Sequence, residues 1–206
     1  MKSPPSVYVV DDDRSFRSAL GELLTACGYR AILCETAQQL LDHPLQDVAG
    51  CILLDLQMPG VTGVQLQQVL ADRSCSLPIV FISGHGDIAI TVQTIKAGAE
   101  DFLTKPVSQS QLLETIDRAL NRGEALRGVQ SEKTALTARL ETLTPRERQV
   151  FEQLVRGLPH KQISHLLGIS DRTVKLHRHE VVRKLQVRSL AELAAIAERL
   201  GLLSGG

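Results

Sequence analysis

Three observations predict an α/β doubly wound sheet of five parallel strands followed by a small all-α helix-turn-helix domain. Short apolar runs alternate five times with amphipathic helical stretches over the first 120 residues. Polar residues with reactive side chains follow or end four of those runs. The last third holds two helical patterns joined by a tight glycine turn. The chain has 206 residues, enough for two domains that each bury a core. The boundaries read as 1–120 for the sheet domain, 121–142 for a helical connector and 143–206 for the second domain.

The elements follow in order. Val7-Tyr8-Val9-Val10 is the first strand, and Ser15 to Ala26 sets Phe16, Leu20, Leu23 and Leu24 on one helical face before stopping at Cys27-Gly28. Ala31 to Cys34 is the second strand, and Ala37 to Leu41 a short helix. Cys51 to Leu54 carries no charge and reads as a strand buried on both faces; it runs into Asp55, and Pro59-Gly60 then marks a turn. A helix bearing Val64, Leu66, Val69 and Leu70 comes next, then a strand over Pro78 to Ile82 and a helix from about Ile88 to Ala97. Phe102-Leu103 is the fifth strand, and Leu112, Leu113, Ile116 and Leu120 mark a helix whose start, Ser108 with Gln111, fits a capping box.

Composition narrows the function classes. No apolar stretch approaches the roughly 18 residues of a membrane span, and the N-terminus runs into the first strand without a signal-peptide core, so cytoplasmic residence without membrane attachment is expected. Cys27, Cys34, Cys51 and Cys75 show no Cys-x-x-Cys spacing and read as buried reduced thiols. The formal net charge of zero hides an asymmetry. Residues 1–120 carry 8 Lys/Arg against 14 Asp/Glu, a balance of −6, and residues 121–206 carry 15 against 9, a balance of +6. The acidic half suits a cation, and the basic half suits phosphates.

In a doubly wound sheet the carboxyl ends of the strands share one edge, where such folds place their chemistry. Asp11, Asp12 and Asp13 follow the first strand, Asp55 the third, Ser83 the fourth and Lys105 the fifth, so all converge there. Clustered carboxylates repel, and a hard divalent cation bound through oxygen, magnesium in a shallow site, relieves that repulsion. A carboxylate such as Asp55 can then accept a phosphoryl group as a nucleophile, with the metal and the Lys105 ammonium neutralising charge and the Ser83 hydroxyl donating to the new oxygen. Lys105-Pro106 is also the kind of bond for which a cis peptide is cheap. Taken singly each feature is ordinary: Asp13 or Ser15 caps a helix, Lys-Pro makes a turn, and Phe102 is core. Their common edge is what points to phosphoryl chemistry.

Val10-Asp11-Asp12, then Asp55-Leu56-Gln57-Met58-Pro59-Gly60, Ser83 and Lys105-Pro106, in that order, resemble the receiver domain of two-component response regulators from Val7 to about Leu120. The resemblance implies a flavodoxin-like receiver fold with Asp55 phosphorylated by a sensor histidine kinase. It implies Mg2+ held by Asp12, Asp55 and the Gln57 main-chain carbonyl, with Asp11 acting through metal-bound water. Ser83 and Phe102 would form the switch, and phosphorylation would drive homodimer formation. A phosphohydrolase using Asp55 as a covalent nucleophile is a rival reading, but it would usually carry a second carboxylate two residues on, where this chain has Gln57.

In the connector, Leu126, Val129, Lys133, Leu136, Leu140 and Leu143 recur at spacings of 3 and 4, so a helix with dimeric pairing along this stripe is a further expectation. Thr144-Pro145-Arg146-Glu147 is a complete helix start, and Val150, Leu154 and Val155 give that helix its stripe. A short helix with Ile163, Leu166 and Leu167, the turn Gly168-Ile169-Ser170, and a helix from Asp171 to about Leu185 with Val174, Val181, Val182 and Leu185 inward form the helix-turn-helix. A final helix opens with a second capping box, Ser189 to Glu192, and continues through Leu193, Ile196 and Leu200. Arg172, Lys175, Arg178 and His179 lie on or near the outward face of the helix after the turn, with His160 and Lys161 basic on the one before it, as docking in a DNA major groove requires.

Leu143 to Glu147, Lys161-Gln162-Ile163, Leu167 to Ser170, Thr173 to Arg178 and Lys184-Leu185 resemble the LuxR-type DNA-binding domain of the NarL/FixJ subfamily, to about Leu203. The resemblance implies base reading by Lys175, Leu176 and His179, phosphate contacts by Lys161, Thr173, His177 and Arg178, and a dimer surface on the last helix. His179 departs from the lysine often found there. The combined reading is a transcription regulator that binds DNA when phosphorylated, not an enzyme, with RNA polymerase as a further partner. Its rival is a DNA binder whose receiver serves only as a dimerisation scaffold.

Overall fold

The computed structural model describes residues 4–46, 48–84 and 88–202. The expectations for Met1 to Ser3 and for the end of the second domain beyond Leu202 lie outside the described residues. The chain divides into two compact units, residues 1–127 and 128–206. In chain order the first contains β1 (Ser6–Val10), α1 (Arg14–Ala26), β2 (Arg30–Cys34), α2 (Ala37–Leu41), β3 (Gly50–Asp55), α3 (Gly63–Asp72), β4 (Ile79–Ser83), α4 (Ile88–Lys96) and β5 (Asp101–Thr104). A 33-residue helix, α5 (Gln109–Glu141), contributes its first part to this unit and its last part to the second. The second unit continues with α6 (Pro145–Val155), α7 (His160–Leu167), α8 (Asp171–Leu185) and α9 (Leu190–Arg199).

The five strands pair in parallel in the order β2-β1-β3-β4-β5. Alternate side chains serve opposite faces of the sheet. Tyr8, Val10, Ile52, Leu54 and Phe81 pack with Leu40, Leu66 and Leu70 on one face. Val7, Val9, Cys51, Leu53, Val80 and Ile82 pack with Leu20 and Leu24 of α1 and Leu112, Ile116 and Ala119 of α5 on the other. Helices cover both faces, which is why the strands read as unbroken apolar runs.

Register positions the functional edge. Val10 pairs with Leu54, so Asp11 and Asp55 are the next residues on adjacent strands. Asp55 pairs with Ile82, and Ser83 pairs with Thr104, the residue before Lys105. Because β1 has β2 on one side and β3 on the other, the chain reverses its winding beside Asp11, which opens a crevice there.

Several details depart from the sequence pattern. Gln67 takes a buried place on α3 while Val69 is half-buried, and the Gln67 amide donates to the carbonyls of Thr94 and Ala97, both at 3.2 Å. The α5 helix passes unbroken through Gly123 and Gly128. A Cβ on Gly123 would lie 3.0 Å from Pro78 Cδ, so this glycine permits a close approach and does not end the helix. All four cysteines are free, but Cys27, which caps the end of α1, is exposed and Cys75 is half-buried, so only Cys34 and Cys51 are buried as expected. Burial pushes the thiols of Cys34 and Cys51 up to about 11 and about 12, which leaves them unreactive.

In the second unit the last part of the connector stripe is occupied, while Val129 is exposed. Leu136, Leu140 and Leu143 are buried in one core with Val150, Phe151 and Leu154 of α6, Val174, Val181 and Leu185 of α8, and Leu193, Ile196 and Ala197 of α9. Glu132 on α5 also pairs with Arg199 on α9, at 2.5 Å. Two further readings change: Leu166 is exposed, and Phe151 supplies an inward side chain of α6 in addition to Val150 and Leu154.

Candidate functional site

The acidic edge is built from the ends of β1 and β3. Asp11 and Asp55 are buried and Asp12 is exposed. Carboxylate oxygens of the three lie within 4.8 Å of one another. An all-oxygen donor set with one exposed member suits a hard divalent cation that keeps several waters. Asp13 turns away from this group: its side chain accepts from the backbone N–H of Ser15 and Phe16 and caps α1.

Lys105 enters the same edge from the end of β5. Its Nζ donates to Asp11 Oδ2 at 2.7 Å and lies 3.6 Å from Asp55 Oδ2. It also stands 4.1 Å above the centre of the Phe16 ring, a cation–π contact from α1. The Lys105-Pro106 bond is cis, and the Lys105 N–H donates to the Ser83 carbonyl at 2.8 Å. Ser83 is buried at the end of β4. Phe102 is half-buried and stacks on the fully buried Phe81, with ring centres 6.3 Å apart.

Opposing influences act on Asp55. Burial raises its carboxyl pKa, the Lys105 charge lowers it, Asp11 raises it, and N–H donors from Gln57 and Leu56 lower it; the balance lies above the ordinary aspartate value. The carboxylate is thus held destabilised as an anion, which favours any event that spreads or neutralises its charge.

Sequence reasoning missed three residues that support this site. Arg17 is buried on the inner side of α1, donates to the Asp11 carbonyl at 2.5 Å and lies 3.7 Å from Glu35. Phe16 lies beneath Lys105. Gly63 starts α3 directly against the phosphoacceptor candidate: a Cβ there would be 2.4 Å from the Asp55 carbonyl oxygen and 2.9 Å from Phe81 Cε1. A charge inside the apolar stripe of α1 was the available signal for Arg17. Nothing local marks the other two.

The second unit supplies a different surface. Gly168 ends α7 in the left-handed conformation, with φ at 64°, and Ser170 caps α8 by accepting from the Thr173 N–H. Val174, Val181 and Leu185 point into the core, so Arg172, Lys175, Leu176 and His179 are exposed on α8, with Thr173, His177 and Arg178 half-exposed and Lys161 exposed on α7. At the far end of α8, Lys184 donates to Glu147 at 2.6 Å and to the Thr142 carbonyl at 3.1 Å. Burial alone would raise the Glu147 carboxyl, but hydrogen bonds from Lys184 and Thr144 and the Lys184 charge hold it below the usual glutamate value. At the start of α9, Ser189 accepts from the Glu192 N–H, but the Glu192 carboxylate reaches back one residue further than a capping box, to the Arg188 N–H.

Residues 7–117 match the response regulator receiver domain, and residues 141–197 match the luxR family of bacterial regulatory proteins. Nodulation protein W of Bradyrhizobium diazoefficiens is 39% identical over 95% of this chain and 86% of its own length. The transcriptional regulatory protein FixJ of the same organism is 36% identical over 99% of this chain and all of its own. Among solved structures, the response regulator StyR is 42% identical, with a TM-score of 0.81 over 95% of this chain and 99% of its own. Receiver domains generally bind Mg2+ at an acidic pocket of the kind formed by Asp11, Asp12 and Asp55. The chain belongs to the NarL/FixJ-type response regulators, transcription regulators that join a receiver to a LuxR-type DNA-binding domain and are not enzymes.

Proposed function

We propose that phosphorylation of Asp55 by a cognate sensor histidine kinase controls dimerisation of this regulator and its binding to promoter DNA. The observation that carries this reading is the juxtaposition of Asp55 with Asp11, Asp12 and Lys105 at one sheet edge. The Asp55 carboxylate oxygen attacks phosphorus as the bond to the kinase histidine breaks. Asp11, Asp12, Asp55 and the Gln57 carbonyl are the residues that would hold Mg2+, which supplies charge neutralisation to the phosphoryl oxygens. Lys105 moves from Asp11 toward the phosphoryl group, Ser83 donates to it, and Phe102 follows Ser83 inward.

The output surface is α4 with β5. Ile88 is 79% exposed, and Val92 and Ile95 follow it one and two turns on, so α4 presents an apolar stripe outward. Pairing of two receivers through this stripe presents two helix-turn-helix units to half-sites about one helical turn apart or a multiple of it. Moving a two-state equilibrium from 1:99 to 99:1 takes about 5.5 kcal/mol. Two or three charge-assisted hydrogen bonds to the phosphoryl group, at about 1.5–3 kcal/mol each, supply it.

Within this reading residues 1–120 are the receiver, 121–142 the connector and 143–206 the DNA-binding domain. Lys175, Leu176 and His179 read bases in the major groove, while Lys161, Thr173, His177 and Arg178 contact phosphates. The regulator acts in the cytoplasm together with RNA polymerase; among the described residues no helix is long and apolar enough to cross a membrane. Acetyl phosphate with Mg2+ should raise both the mass in solution and the DNA affinity of the wild-type chain and leave Asp55→Asn unchanged. Equal responses from the two proteins would sink the proposal.

A further inference from the structure

The basic residues of α8 fall into two groups. Near the carboxyl end, Arg183 pairs with Glu180 at 2.7 Å and Lys184 pairs with Glu147 at 2.6 Å, so carboxylates of the chain neutralise both. Toward the amino end, Arg172, Lys175 and Arg178 form no ion pair with a carboxylate among the described residues. Arg178 nevertheless has a partner on another helix: its Nη1 meets Nε2 of His160, the first residue of α7, at 3.3 Å.

The chemistry of that contact is directional. A guanidinium has five N–H donors and no acceptor, so in this hydrogen bond Arg178 donates and the His160 Nε2 accepts. A carboxylate in the same place would orient Arg178 and cancel its charge. An imidazole nitrogen brings no negative charge; it holds one N–H and leaves the full positive charge and four donors for an outside anion. The hydrogen bond is long and half-exposed, so it adds little to the stability of the fold. Its effect is to limit the rotamers of a long side chain before an anion arrives.

We infer that His160 is a positioning residue for DNA binding, holding the Arg178 guanidinium across the helix-turn-helix for a backbone phosphate without neutralising it. The inference rests on the DNA-binding reading of the second unit and adds to it a residue that makes no base contact. Because phosphate contacts carry no sequence information, loss of His160 weakens specific and random DNA alike. Glutamine can replace the imidazole, since its Oε1 stands at about the reach of Nε2 and accepts from the same donor.

The test uses the phosphorylated full-length chain, a duplex selected by that protein from a random pool, and a scrambled duplex of equal length, over a series of salt concentrations. His160→Ala should lower affinity about three- to tenfold on both duplexes, and His160→Gln should restore most of it. Arg178→Ala should reduce the slope of log affinity against log salt by about one. In that background His160→Ala should add nothing. Unchanged affinity of His160→Ala, failure of His160→Gln to rescue, or full additivity with Arg178→Ala would each overturn the inference. Absence of DNA binding by the phosphorylated wild-type chain would instead overturn the DNA-binding reading, and the inference with it.

Discussion

Lys105 Nζ lies 2.7 Å from Asp11 Oδ2 but 3.6 Å from Asp55 Oδ2, so in this structure the lysine is bonded to the neighbour of the phosphoacceptor candidate and not to the candidate itself. Removing it leaves two buried carboxylates facing each other. Breaking a fully buried pair costs about 3–5 kcal/mol. The Lys105 side chain keeps 22% of its exposure, so water screens part of that cost. Lys105→Met should therefore lower unfolding free energy by about 1–2 kcal/mol in urea titrations with EDTA. Magnesium should recover more stability in the variant than in the wild type, because its carboxylates lack their own cation.

The raised pKa of Asp55 sets a pH dependence of definite sign. Between the ordinary aspartate value and the raised folded value, the folded protein binds more protons than the unfolded chain. Stability therefore falls as pH rises through that window. The contribution is fully present below the unfolded value and lost above the folded one. Urea melts without metal should show this fall in the wild type and its loss in Asp55→Asn.

Gly63 tests how closely the fold surrounds Asp55. A Cβ would meet a backbone oxygen at 2.4 Å, which cannot yield as a side-chain tip could. Gly63→Ala should cost about 1–3 kcal/mol in unfolding free energy. It should also slow phosphorylation by shifting Asp55, which separates it from a remote destabilising change.

Gln67 is a buried amide facing α4, and its Oε1 has no hydrogen-bond partner among the described residues. Its Nε2 serves the carbonyls of Thr94 and Ala97 near the end of α4. Thr94 is the buried residue of that helix, while Ile88, Val92 and Ile95 face outward. Polar bonds from Gln67 thus help hold the end of α4, beside the apolar packing of Ile90 against the core. Gln67→Met keeps the volume and removes the donor, and it should cost about 1–3 kcal/mol measured by denaturant melts.

The residues of the acidic edge were legible because each follows an apolar run that can only be a buried strand. Strand order and register then bring Asp11, Asp55, Ser83 and Lys105 together whatever the loops do. Gln67 and Gly123 were not legible, since their roles come from neighbours distant in sequence: Thr94 and Ala97 for one, Pro78 for the other. The connector was half legible. Heptad spacing reveals that a stripe is covered but not by what, and here the DNA-binding unit itself covers Leu136, Leu140 and Leu143.

That occupancy decides how pairing through the connector can be tested. Leu136 and Leu140 are buried in the core of the second unit, where truncating a leucine costs about 2–5 kcal/mol and a buried charge costs more. Leu136→Glu and Leu140→Glu should therefore unfold the second unit, seen as lost thermal cooperativity, and abolish DNA binding whether or not the helix ever pairs. Leu126 and Val129 belong to the same stripe but are 39% and 68% exposed. Changing both to Glu should leave the melting of both units within about 0.5 kcal/mol of wild type. If these residues pair between two copies of the chain, sedimentation of the phosphorylated double variant should show a weaker dimer. If the α4 stripe carries dimerisation alone, the double variant should sediment as the wild type does, and Ile88→Glu should weaken the dimer instead.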